Sequence, residues 1–388
     1  MSRQKKGISS FFFFYFAFVG LFSPYLSLWL NFRGFSPTEI GVLLSPMQWS
    51  RIIGPPFWGF LSDSQTAGFS LHRILMLASM IALFISLFLS GASGFGQTIT
   101  ILIFLTFFLS GLVPLVEVVA LSTSMEAKCK YGDLRVWGSI GFLFAVLLFG
   151  FLIEKMGVET IPIFIIVSLF FIFISTILLR GEKKPKNLSE KISIRKLFSR
   201  NVCIFLVAST TMLFAHSVLY TFYSLWLKAY GYSKIEIGVF WAIGVFAEII
   251  FFLNQNRIFS IITNLTFVWF LCFLVAVGRF LLIYISEGAV ALLVFAQLLH
   301  AVTFGLHHTC SILLIGELFP SSAKAIGQSS YTAAAYGIGG SLGGVFSGLV
   351  WEKFNADSIF LLAVFAALAG CFVSWRLYRN FNMEFKEL

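Results

Sequence analysis

Charged side chains are scarce in this chain of 388 residues, because Asp, Glu, Lys and Arg together make up only 11% of it. Soluble globular domains carry about 25%, so the composition excludes an ordinary soluble domain. Apolar residues reach 59%, and the mean hydropathy is +0.93. About twelve apolar runs are long enough to cross a bilayer as helices, at about 20 residues each. The sequence therefore predicts a polytopic helical membrane protein.

Cysteines and clustered metal ligands are also few. The 5 cysteines have no paired spacing, which predicts neither a disulfide framework nor a metal site. The H-E-x-x-H pattern of zinc enzymes is absent. A long hydrophilic region is missing too, so there is no room for the signalling domain of a sensor. We therefore expect no metal, no cofactor and no enzymatic activity.

The net charge of +10 is distributed unevenly along the chain. With the N-terminus inside, most Lys and Arg residues fall in predicted cytoplasmic segments. The predicted outer loops contain Arg33, Lys155, Lys228, Lys234 and Lys353. This positive-inside bias predicts a multi-pass protein of the cell inner membrane with both termini in the cytoplasm. The lipid bilayer explains the basic charge, so no nucleic-acid partner is needed.

One stretch near the N-terminus is repeated 197 positions later. The matching pairs are Trp29 and Trp226, Gly34 and Gly231, Ser36 and Ser233, and Glu39-Ile40-Gly41 and Glu236-Ile237-Gly238. A constant offset over such a distance predicts two homologous halves. We expect an N-terminal six-helix bundle at 1–180, a basic cytoplasmic linker at 181–200 and a C-terminal six-helix bundle at 201–388.

Four charged residues lie deep within the apolar runs: Arg51, Glu117, Glu248 and Arg279. Such a charge costs about 2.5–3.5 kcal/mol on insertion scales unless it is paired or hydrated. Two interpretations stay open, a fixed ion pair that joins helices and a set of charges that lines a water-filled cavity. Glu117 and Arg135 are separated by one short loop, so two antiparallel spans can bring them together.

Several motifs carry a resemblance to a known superfamily. Tyr131-Gly-Asp-Leu-Arg135-Val-Trp-Gly-Ser-Ile-Gly141 is similar to a hallmark of bacterial 3-phenylpropionate transporters. Val113–Glu117, Val245–Glu248 and Leu299–Phe304 match the same group. The chain thus resembles major facilitator transporters of the branch that contains lactose permease. The resemblance implies an all-α membrane protein of twelve transmembrane helices in two pseudo-symmetric six-helix bundles.

The resemblance also implies roles for individual residues. Glu117 and Arg135 correspond to substrate-binding residues, and we add Arg51, Tyr25 and Trp241 as further substrate contacts. Tyr25 also fits an interfacial aromatic belt.

Arg279 and His300 correspond to the proton-coupling arginine and histidine of the family. Thr303 stands where lactose permease has its proton-carrying carboxylate, so Glu248 is the best replacement. Gly59–Asp63 resembles part of the loop 2–3 motif and gives Asp63 a gating role, although the usual basic cluster after it is missing.

The resulting hypothesis is a secondary active transporter that works by alternating access. We expect a monomer that imports a small organic solute together with protons. An aromatic carboxylate such as 3-phenylpropionate is the favoured solute. A sugar or nucleoside symporter and a drug-efflux antiporter are the alternatives.

Overall fold

A computed structural model describes residues 3–63, 70–126, 131–179 and 197–384. All the regular structure in these ranges is helical. The chain divides into two compact units, Met1–Lys186 with Gly231–Val239, and Asn187–Tyr230 with Phe240–Leu388. Most of the predicted linker, 181–200, lies outside the described residues, so its boundaries stay predictions.

Within the described residues, the first unit contains eight α-helices. They are α1 (Arg3–Phe32), α2 (Pro37–Leu44), α3 (Pro46–Asp63), α4 (Leu71–Ser86), α5 (Gly94–Ser110), α6 (Leu112–Glu126), α7 (Tyr131–Met156) and α8 (Ile161–Leu178).

The second unit is built from the remaining helices, although the first residues of α10 group with the first unit. The α-helices are α9 (Arg200–Ala229), α10 (Lys234–Phe259), α11 (Leu265–Ile285), α12 (Val290–Leu298), α13 (His307–Leu318), α14 (Lys324–Tyr331), α15 (Gly340–Lys353) and α16 (Ser358–Glu384). Two π-helical segments, Ala301–Leu306 and Thr332–Gly339, interrupt the spans that contain them.

Every predicted apolar run contains helix, which confirms the all-α membrane architecture. Within the described ranges, 10 helices are long and apolar enough to cross a membrane, and Leu71–Ser86 is a shorter apolar helix. The remaining run is divided at Ser45 into α2 and α3, and α3 contains Pro55 and Pro56. Proline removes a backbone donor and crowds the preceding turn, which favours bends that the hydropathy pattern does not reveal.

The repeated stretch encodes the same helix start twice. Ser36 and Glu39 form a capping box, in which the Ser36 amide donates to Glu39 Oε2 at 2.8 Å and the Glu39 amide donates to Ser36 Oγ at 3.3 Å. Ser233 and Glu236 repeat both bonds at the same lengths. A capping box satisfies backbone donors that the first helical turn leaves without partners. The repeated glutamates therefore have a structural role.

Glycines let helix backbones approach closely in both units. A Cβ on Gly20 of α1 would lie 2.9 Å from the Phe142 carbonyl oxygen of α7, and a Cβ on Gly141 would overlap the Phe13 carbonyl. In the second unit, Gly339 and Gly343 abut the backbone of α9 in the same way. Such close contact between backbones is typical of small residues at the interfaces of membrane helices.

Asp357 holds two aromatic side chains at the end of α9. Its Oδ1 accepts hydrogen bonds from the Trp226 indole at 2.7 Å and from the Tyr230 hydroxyl at 2.9 Å. Partial burial and the bond to Asp357 raise the pKa of Tyr230 to about 12, so the phenol remains a donor at neutral pH.

We expect Asp357→Ala to destabilise the protein, because it leaves the Trp226 indole N–H without its acceptor. An unsatisfied buried donor costs about 1–3 kcal/mol, which should lower the melting temperature in detergent. Asp357→Asn retains an acceptor oxygen and should lose much less. Equal melting temperatures for Asp357→Ala and the wild type would contradict this role.

Candidate transport sites

A network of polar side chains lies in the interior of the second unit. It centres on Arg279 of α11, whose side chain is only 1% exposed. His216 of α9 and the span from α12 to α13 supply its partners. Four helical segments thus enclose one buried cation.

Arg279 donates hydrogen bonds in several directions. Its Nε donates to the Ala296 carbonyl at 2.9 Å, and its Nη2 lies 3.4 Å from Gln297 Oε1. Its Nη1 lies 2.9 Å from Thr303 Oγ1 and 3.1 Å from His300 Nδ1. All these partners are uncharged acceptors. The positive charge is therefore solvated by dipoles in place of a direct carboxylate contact, as far as the described residues go.

The tautomers of both histidines follow from this geometry, because a guanidinium has donors only. His300 must accept at Nδ1, so the neutral ring carries its proton on Nε2. His216 Nδ1 lies 2.9 Å from the Met212 carbonyl and must donate there, which leaves Nε2 as the acceptor. A second proton on either ring would point at Arg279. Both histidines are therefore held neutral while Arg279 stays in place.

Thr303 completes the hydrogen-bond balance. Arg279 Nη1 has two hydrogens but three acceptors within reach, the third being His216 Nε2 at 3.3 Å. Thr303 Oγ1 lies 3.2 Å from that same nitrogen. The hydroxyl can accept from Arg279 and donate to His216, so Thr303 Oγ1 and His216 Nε2 both obtain a partner.

Glu248 of α10 is the carboxylate next to this network. Its Oε2 lies 3.6 Å from His300 Nε2, and the two side chains are 17% and 11% exposed. This separation is slightly beyond hydrogen-bond length, so a small movement makes or breaks the contact. In its neutral tautomer, His300 directs its Nε2–H toward Glu248 and its Nδ1 toward Arg279. One imidazole ring therefore lies between the carboxylate and the buried guanidinium.

The π-helical segment explains how the chain places these groups. Residues Ala301–Leu306 lie between His300 and His307 and contain Thr303. A π-helical turn holds extra backbone within an α-helix and often occurs at functional sites. It turns Thr303 towards Arg279 while His300 keeps its contact with Glu248. His307, beyond the segment, is buried and stacks on Trp269 at 5.6 Å.

A second polar cluster lies in the first unit, where α6 and α7 bring Glu117 and Arg135 together. Arg135 Nε lies 3.8 Å from Glu117 Oε1, and the side chains are 32% and 38% exposed. The Tyr131 hydroxyl lies 3.5 Å from the same carboxylate oxygen. The predicted approach of Glu117 and Arg135 is confirmed. Unlike Arg279, this pair is accessible to a ligand.

Arg51 of α3 belongs to the same region. Electrostatic interactions join the buried Tyr15 of α1 to both Arg51 and Glu117. The first unit therefore brings Arg51 and Glu117 near Tyr15, and Glu117 is also in contact with Arg135. Whether these residues bind a substrate stays a prediction.

The other predicted site residues lie elsewhere. The Tyr25 hydroxyl donates to the Val146 carbonyl at 2.6 Å and is fully buried, which indicates a packing role. The Trp241 indole donates to Ser224 Oγ at 2.9 Å, and its ring stacks on Tyr220. Asp63 ends α3, but its side chain lies outside the described residues, so its gating role stays a prediction.

The network also contains His216 and Gln297, which the sequence analysis did not assign to a site. Both are buried and polar within apolar runs, which is the signal that could have found them. At Thr303 the family resemblance implies only that a carboxylate is missing. The structure shows that the Thr303 hydroxyl has two partners, Arg279 and His216.

Comparisons with known proteins agree with this architecture. The sequence is 27% identical over 369 residues to the Probable 3-phenylpropionic acid transporter of Escherichia coli (strain K12), covering 93% of this chain and 95% of that protein. It is 22% identical over 382 residues to the maltose permease of Geobacillus stearothermophilus, covering 96% and 94%. A crystal structure of the nucleoside transporter NupG has a TM-score of 0.83 at 15% identity, covering 97% of this chain and 99% of that one.

The helical architecture and these similarities define a multi-pass membrane transporter of the major facilitator superfamily. Residues 6–362 match the MFS_1 like family, and the chain belongs to it.

We expect Thr303→Val to destabilise the second unit, although valine has nearly the shape of threonine. The change removes an acceptor from Arg279 and a donor from His216, at about 1–3 kcal/mol for buried groups left unsatisfied. Thr303→Ser should restore the wild-type melting temperature. A valine variant as stable as the wild type would show that the hydroxyl does not complete the network.

Proposed function

We propose that the protein imports a small aromatic carboxylate, with 3-phenylpropionate as the favoured substrate, by proton symport. The proposal of proton coupling rests on the contacts that link Glu248 to His300 and His300 to Arg279. In this series His300 stays neutral and Arg279 stays charged, so Glu248 is the group that could gain or lose a proton. The substrate part is supported by the accessible Arg135 and by the name of one relative.

Arg135 is the proposed anchor for the substrate carboxylate. Guanidinium groups bind carboxylates through two parallel hydrogen bonds, and this side chain is partly exposed. Glu117 would hold the guanidinium through its Nε, while the other two nitrogens bind the substrate carboxylate. Arg51 adds positive charge to this region, so an anion is favoured there over a cation.

Glu248 is the proposed proton carrier. His216 and His300 cannot take a second proton without facing Arg279. Glu248 has no such obstacle, and its ionised form offsets the buried charge of Arg279 through His300. Protonation of Glu248 removes the negative charge that offsets Arg279. The protonation state of Glu248 would therefore be linked to the conformation of the second unit. This link is what a coupled transporter requires.

A sugar or nucleoside symporter is the second candidate. Glu117, Tyr131 and Arg135 together offer acceptors and donors to the hydroxyl groups of a neutral substrate. One relative is named a maltose permease. We propose the inner membrane as the location, with both termini in the cytoplasm, because of the positive-inside distribution of Lys and Arg.

The first test concerns the substrate site. In proteoliposomes with an alkaline interior, the wild type should accumulate labelled 3-phenylpropionate, and unlabelled maltose or uridine should not compete. Arg135→Ala should abolish binding because the carboxylate loses its partner, and Glu117→Ala should also impair binding. Normal binding by the Arg135→Ala variant would rule out the proposed anchor. Competition by maltose or uridine would favour the second candidate.

The second test concerns the proton. Glu248→Gln mimics the protonated carboxyl and preserves its shape. This variant should exchange 3-phenylpropionate across the membrane at near the wild-type rate, because exchange needs no net proton release. It should fail to accumulate the substrate against a gradient.

Glu236→Gln is the matched control, because Glu236 lies on the same helix but caps its start. This control should retain uphill uptake. Intact uphill uptake by Glu248→Gln would eliminate Glu248 as the carrier. Loss of both exchange and accumulation would instead indicate a structural ion pair.

A further inference from the structure

Two phenylalanine rings of α1 lie against the guanidinium of Arg135. The Arg135 Cζ atom is 4.1 Å from the centre of the Phe16 ring and 5.3 Å from that of Phe12. Both distances are within the range of a cation–π interaction, and Phe16 is the closer partner. A planar guanidinium on an aromatic face loses much of its freedom to rotate. The Phe16 ring therefore constrains the plane in which the Arg135 donors lie.

Gly138 provides the space for this arrangement. It lies one turn after Arg135 on α7, on the same side of the helix. A Cβ at this position would lie 2.6 Å from Arg135 Nη1 and 2.9 Å from Phe16 Cδ2. Any larger residue would displace the guanidinium, the ring or both. This contact gives a physical reason for the glycine in the Arg135-Val-Trp-Gly138 motif.

The position of the Phe16 ring is fixed by the backbone. Gly20 and Gly141 bring α1 and α7 into close contact on either side of it. These contacts keep the backbone of Phe16 close to α7, which places its ring beside Arg135. The orientation of Arg135 is therefore set by α1, although its charge partner Glu117 lies on α6.

We propose that Phe16 is a positioning residue which orients Arg135 and so determines the preference of the site for a carboxylate over a neutral group. This inference rests on the proposed function, in which Arg135 anchors the substrate carboxylate. A carboxylate needs two parallel N–H donors in one plane, and an oriented guanidinium presents them without further loss of freedom. A neutral amide or hydroxyl makes a single bond and gains little from that orientation.

The test compares binding of 3-phenylpropionate with binding of its neutral amide, 3-phenylpropionamide, by purified full-length variants in detergent. Phe16→Leu should weaken binding of the acid about 3- to 30-fold, the range that a cation–π contact supplies. Binding of the amide should change little. Phe16→Trp restores an aromatic face and should recover the affinity for the acid.

Matched controls separate this role from a general packing effect. Phe14 lies on the same helix and is similarly half-buried, but its ring stacks on Phe171 at 4.9 Å. Phe14→Leu should therefore leave the preference for the acid intact. Gly138→Ala should reproduce the Phe16→Leu phenotype. Gly132→Ala should not, because a Cβ at Gly132 would meet nothing within 4 Å.

A second measurement does not depend on any substrate. In a double-mutant cycle on the melting temperature, Phe16→Leu and Arg135→Gln should be non-additive, because each change removes the same contact. Additive effects would overturn the inference even if all variants fold.

The outcomes distinguish the inference from the proposed function. If Arg135→Ala abolishes binding of the acid but Phe16→Leu binds it like the wild type, Phe16 has no positioning role and the proposed function stands. If the wild type binds the acid and the amide equally, or binds neither, the carboxylate assignment fails. The thermal cycle then still decides whether Phe16 holds Arg135.

Discussion

The burial of Arg279 among uncharged acceptors is the constraint on which the second unit depends. A guanidinium in an apolar interior is tolerated only when its donors are satisfied. Here α9, α12 and the π-helical segment with the preceding His300 supply the acceptors. The same requirement fixes both histidine tautomers and gives Thr303 its two partners. Glu248 lies next to this set of hydrogen bonds, 3.6 Å from His300. The proposed coupling would therefore act on the same contacts that stabilise the unit.

The first unit uses its charges differently. Glu117 and Arg135 are in contact but remain about one-third exposed, so their interaction is weakened by solvent. A pair of this kind can exchange partners at low cost, which suits ligand binding. A deeply buried cation such as Arg279 cannot do so without leaving its acceptors unsatisfied. The homologous halves have therefore kept a common scaffold while their charged residues have diverged.

Much of this organisation could be predicted from the sequence because it depends on periodic or local signals. The apolar runs predicted every span, the constant offset predicted two halves, and the short loop between α6 and α7 predicted that Glu117 meets Arg135. Helix interruptions could not be predicted, since the π-helical segment at Ala301–Leu306 has an ordinary apolar composition.

The roles of individual aromatic and glutamate residues could not be predicted from the sequence either. The chain contains 49 phenylalanines, and nothing in the sequence pattern distinguishes Phe16 from its neighbours. Conversely, identity between the two copies of the repeat does not mark functional residues. Glu39 and Glu236 are repeated because both cap a helix. Arg51 and Glu248 occupy matching positions of the repeat but differ in charge, and both lie within apolar runs.

The π-helical segment has a consequence for how such a network can arise. A π-helical turn is an α-helical turn that holds one more residue, and each residue advances an α-helix by about 100°. Inserting a single codon in this span is therefore enough to rotate the residues on one side of it relative to the other. His300 can then keep its place beside Glu248 while Thr303 is brought to Arg279. A change in the length of this one span can therefore alter which side chain meets the buried cation without any replacement on the neighbouring helices.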